Sequence, residues 1–108
     1  MKKSNKSKVI VKPPKKIAHF EWIENDLKSF QELVGGYIEA VTLSPDLVII
    51  CNEEGRLRGL EENCRLYHPD NYRVTDDSFV GTIVAASFKK DEFSDVKISL
   101  ARFMALVV

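Results

Sequence analysis

The chain has 108 residues, with 16 Lys or Arg balanced by 16 Asp or Glu and only two cysteines, which fits one domain with a single core and excludes a disulfide framework. The charge is uneven: residues 1–16 hold seven lysines and no acid, while the remainder holds nine basic and 16 acidic residues. No secretory leader is recognisable and no apolar run approaches the roughly 20 residues of a membrane span, so a cytoplasmic location with reduced thiols is expected.

Residues 1–8 are Lys, Ser and Asn with almost nothing to bury, and are expected to form a disordered basic tail ahead of a single domain over 9–108. Val9-Ile10-Val11 reads as a first strand, ended by Pro13-Pro14 because neither proline can donate to a ladder. Ile17 to Ile23 alternates in the period of two and predicts a second strand paired with the first. Asn25 is the expected cap of the following helix, with Asp26 at the positive end of its dipole. Leu27, Phe30, Leu33 and Val34 make the helical stripe, and Gly35 can take the left-handed conformation that closes it, with Gly36 freeing the turn into the next strand.

Tyr37 to Leu43 alternates as a half-buried strand, and Ser44-Pro45-Asp46 is a turn that returns the chain antiparallel. Leu47-Val48-Ile49-Ile50-Cys51 lacks polar alternation, so both of its faces are expected to be covered, as in a central strand. Asn52-Glu53-Glu54-Gly55 reads as a turn and Arg56-Leu57-Arg58 as a short exposed strand. Leu60 to Asp77 is expected to be a long, partly ordered loop. Phe79 to Phe88 predicts one strand with Gly81 as a bulge, and Val96, Leu100, Phe103, Met104 and Val107 predict a last helix capped by Ser94 or Asp95. The sum is an α+β domain: a small antiparallel sheet of about four to five strands, one central amphipathic helix and a C-terminal helix.

Few residues carry recognisable chemistry. Cys64 and His68 lie four apart, as in a thiolate nucleophile with its base, but Pro69 disfavours the helical geometry that would make them face each other. Cys51 sits in the buried run and reads as a small apolar residue. No paired spacing of Cys or His supports a metal, and Gly35-Gly36 ends a helix where phosphates are bound at helix starts. Neither metal nor cofactor is expected. The densest polar cluster surrounds Gly55 and Gly59. Within it Asn52, Glu53, Arg56, Arg58 and Arg65 are the candidate binding residues, because arginines two apart on a strand share a face and can present donors to an anion or an acidic surface.

The stretches LVGGYIEAV, LVIICNEEGRLRGLEENCRL and FVGTIVAA resemble the bacterial, phage and mobile-element family called domain of unknown function 3846. The likeness is most specific in Val34-Gly35-Gly36-Tyr37-Ile38-Glu39 and in Asn52-Glu53-Glu54-Gly55. It implies a genomic setting and a fold, and no activity. The chain departs from the family in its basic amino terminus and over Tyr67 to Asp77, which looks inserted. The expected function is that of a non-enzymatic accessory protein that binds a protein partner or a small anionic ligand. The alternative is a nucleic-acid-binding protein that uses the basic tail, and an enzyme of unknown class comes third.

Overall fold

A computed structural model describes residues 6–108. In chain order the elements are β1 (Lys6–Lys12), β2 (His19–Glu24), α1 (Leu27–Val34), β3 (Ile38–Ser44), β4 (Leu47–Asn52), β5 (Glu62–Cys64), β6 (Phe79–Val80), β7 (Ile83–Lys89), β8 (Glu92–Ser94) and α2 (Leu100–Leu106). The fold is α+β. Its antiparallel sheet runs β2-β1-β7-β4-β3, β8 pairs with the far end of β7, and β5 and β6 form a separate small ribbon.

Local sequence accounts for the first two hairpins. The β1–β2 pair runs from Lys6↔Glu24 to Val11↔His19, and the β3–β4 pair runs from Ile38↔Asn52 to the turn at Pro45-Asp46. Long-range pairing sets the order in which they join. The middle strand is β7, held between β1 and β4, and not β4 as the apolar run Leu47–Cys51 suggests. Strand β4 is nevertheless interior and buried throughout, because an apolar run without alternation needs cover on two faces, not a central rank in the sheet.

Alternation along the strands divides the core. Val9, Val11, Val48, Ile50, Val84 and Ala86 meet Phe30 and Val34 of α1. Ile10, Ile49, Cys51, Ile83 and Ala85 face the opposite layer, where Cys64, Leu66, Phe79, Phe103 and Leu106 close over them. Helix α1 ends as its glycines predict, with Gly35 at φ 81 and its N–H donating to the Gln31 carbonyl.

Several expectations are corrected. Strand β1 begins at Lys6, so Lys6, Ser7 and Lys8 belong to the sheet and not to the tail; their neighbours in β2 supply the ladder that composition does not reveal. The rest of the expected tail, residues 1–5, lies outside the described residues. Asp26, not Asn25, caps α1 by accepting from the Ser29 N–H at 2.8 Å, which holds its carboxyl below the ordinary carboxylate range. Asn25 donates to the Phe93 carbonyl at 2.7 Å. Phe79 to Phe88 is not one strand: Gly81, at φ 73, turns the chain from β6 into β7. Helix α2 is capped by Ser99, while Ser94 lies in β8. The Lys90-Asp91 turn that makes β8 has positive φ at both residues, the backbone of a type I′ hairpin.

Candidate functional site

Asn52 is the hinge of the polar cluster. It is buried, its Nδ2 donates to the Val34 carbonyl at the end of α1 (3.1 Å), and its Oδ1 accepts from the Glu54 N–H (2.8 Å). The Glu53 N–H donates to the Tyr37 carbonyl and the Gly55 N–H to the Asn52 carbonyl. Gly36 lies against the same amide, so close that an added Cβ would stand 2.9 Å from Nδ2. Asn52 is thus a structural member of the cluster, and its side chain is spent.

The chain after Asn52 coils through turns instead of forming the expected strand. The Arg58 N–H donates to Glu54, Gly59 to Arg56 and Leu60 to Gly55. Gly55 is required where it lies, since a Cβ there would come within 2.6 Å of Val80 Cγ2. In a coil of this kind residues two apart point in different directions, so Arg56 and Arg58 diverge. Arg56 Nη2 donates to the Ser78 carbonyl at 2.6 Å. Arg58 turns to Glu54, 3.9 Å away, and to the Gly35 carbonyl. Arg65 is exposed beyond β5 and shares no cavity with them. The arginines therefore do not converge on one anion.

What the fold does assemble is a cleft of about 410 Å³ at the β3–β4 end of the sheet. Cys51 and Val41 line its sheet side, with Phe79 and Val80 beside them, and Glu39, Glu53, Asp76 and Asp77 add four carboxylates against the single guanidinium of Arg56. The bond from Arg56 to Ser78 clamps the coil after Asn52 to the segment before β6, and so forms one wall. Of the sequence-predicted residues, Asn52, Glu53 and Arg56 line this cleft; Arg58 and Arg65 do not. Glu39, Asp76 and Asp77 were not picked out as site residues. Asp76 and Asp77 fall at the end of the expected loop, and nothing in the linear sequence places them beside Glu39.

The thiols are not poised for nucleophilic chemistry. Burial first, then the Glu39 carboxylate and the hydrogen bond to it, push the Cys51 thiol up to about 11, and burial also raises Cys64. His68 directs Nδ1 to the Leu43 carbonyl at 3.3 Å, and no hydrogen bond joins it to Cys64 among the described residues. Both cysteines are free. Among the described residues no group of His, Cys, Asp and Glu is arranged to hold a metal ion, and no helix is long and apolar enough to cross a membrane.

No curated protein and no solved structure is found to match the chain. The family described as domain of unknown function (DUF3846) matches residues 6–106, which takes in the whole sheet, the cleft and α2. The two segments most typical of the resemblance, Val34–Glu39 and Asn52–Gly55, are the ones that Asn52 ties together beside the cleft. The chain is a member of the DUF3846 family.

Proposed function

We propose that the protein is a non-enzymatic binding protein whose cleft takes a cationic segment of a partner protein. The observation that carries this reading is the cleft's lining: four carboxylates, one guanidinium already bonded to Ser78, and an apolar side made by Val41, Phe79 and Val80. Concave sites with an apolar wall and a few polar groups orient ligands by those groups. An excess of carboxylate selects positive charge, so a protein partner is favoured over the small anion that convergent arginines would have suited. A thiol held near 11 has almost no thiolate at neutral pH, which weighs against covalent catalysis at Cys51.

Calorimetric titration with an oligoarginine peptide, with oligoglutamate in parallel, tests the reading. Oligoarginine should bind, and Asp76→Asn with Asp77→Asn should weaken it about five- to tenfold, the scale of two exposed charge contacts. Binding of oligoglutamate in its place would overturn the reading.

A further inference from the structure

The outer strands β2 and β1 present a second surface, far from the carboxylates of the cleft in sequence and on the other side of β7 in the sheet. Strand β2 is an edge strand. Its Phe20 and Trp22 are two residues apart, hence on one face and about 6.6 Å from each other along the strand, and they are 36% and 60% exposed. Opposite them in β1, the register Lys8↔Trp22 and Ile10↔Phe20 puts Lys8 on that same face with Lys6 next to it. The Lys8 ammonium stands over the Phe20 ring, 4.0 Å from its centre. Two aromatic rings and two lysines therefore share this face, which closes into the core at Ile10, the partner of Phe20 in the register.

We propose that this face of the β1–β2 hairpin binds single-stranded nucleic acid, with Trp22 stacking on a base and Lys6 and Lys8 meeting the phosphates. Charge and shape agree with that occupant. Neither lysine is ion-paired among the described residues; Glu24 faces Lys6 across the ladder, and Asp95 accepts from the backbone of Lys8 rather than its ammonium. Exposed rings beside cations on a sheet are the arrangement by which single strands are held: bases stack on aromatic faces without regard to sequence, and the backbone follows the cations. A duplex keeps its bases stacked inside and offers Trp22 no base face.

The chain has one tryptophan, so the contact reports itself. An oligothymidylate of about 12 nucleotides titrated into the full chain at low salt should quench Trp22 emission, with affinity falling by a log–log slope of about −0.7 for each phosphate neutralised. Trp22→Ala removes an exposed ring and should weaken binding about tenfold or more, followed by anisotropy of a labelled strand. Lys6→Gln with Lys8→Gln should flatten the salt slope. The same Trp22→Ala variant should bind oligoarginine as the parent does, since the cleft is untouched. The proposal is overturned by absence of quenching, by preference for the duplex, or by Trp22→Ala binding as tightly as the parent. A concentration-dependent blue shift of Trp22 without nucleic acid would also overturn it, because the face would then be covered by a second copy.

Discussion

Asn52 donates to the Val34 carbonyl across 3.1 Å and so joins the end of α1 to the turn that follows β4. Asn52 is 5% exposed, and both polar ends of its side chain are used. Replacement by Ala leaves the Val34 carbonyl and the Glu54 N–H without this partner, at a cost of about 1–3 kcal/mol. Chemical denaturation of Asn52→Ala should show that loss, and Gly36→Ala should show one of similar size, since its Cβ would meet the anchored amide at 2.9 Å.

Burial of Cys51 makes stability depend on alkaline pH. Burial pushes the folded thiol up from its ordinary value near 9 to about 11, so the folded state retains the proton where the unfolded state has lost it. The stabilisation is fully present below about pH 9 and is lost as pH rises towards 11. Melting temperatures recorded across that window should fall, and Cys51→Ala should flatten part of the fall. Cys64, raised in the same direction by burial, supplies another part. At neutral pH a thiol reagent should label Cys51 only as the protein unfolds.

Arg56 and Arg58, with different partners, should respond differently to substitution. Arg58 is exposed and its partner Glu54 is 3.9 Å away, so Arg58→Ala should change stability by no more than about 0.5–1 kcal/mol. Arg56 clamps the Ser78 segment. Arg56→Ala should raise hydrogen exchange at 75–79 and loosen the cleft, with little exchange change in β1 or β2.

Phe93 in β8 stacks on Phe88, with ring centres 5.2 Å apart, and meets Phe30 of α1 at 5.0 Å. Phe30 is 1% exposed, and Phe30→Ala should cost about 3–5 kcal/mol in denaturation experiments. Phe93→Ala should cost less and should release β8 from β7, seen as faster exchange of its amides.

What could be read from the sequence was local. The β1–β2 and β3–β4 hairpins are each encoded within a short span by alternation and prolines, and the close of α1 by Gly35. The place of β7 in the middle of the sheet rests on pairings with β1 and β4, which no local pattern encodes. Arg56-Leu57-Arg58 alternates like a strand, yet the glycines at 55 and 59 bracket a coil in which the same alternation scatters the side chains. The cleft was half legible for the same reason: Asn52, Glu53 and Arg56 are contiguous, whereas Glu39 and Asp76-Asp77 join them only through the β3–β4 register and the Arg56–Ser78 clamp.

The claim that the cleft is a site for positive charge is tested most directly by following backbone amide shifts of the labelled protein during titration with oligoarginine. Shifts should saturate and concentrate at Glu39, Glu53 and Asp76–Val80, with β1 and β2 unmoved. Saturating shifts elsewhere on the surface, or none at all, would contradict the assignment of this cleft.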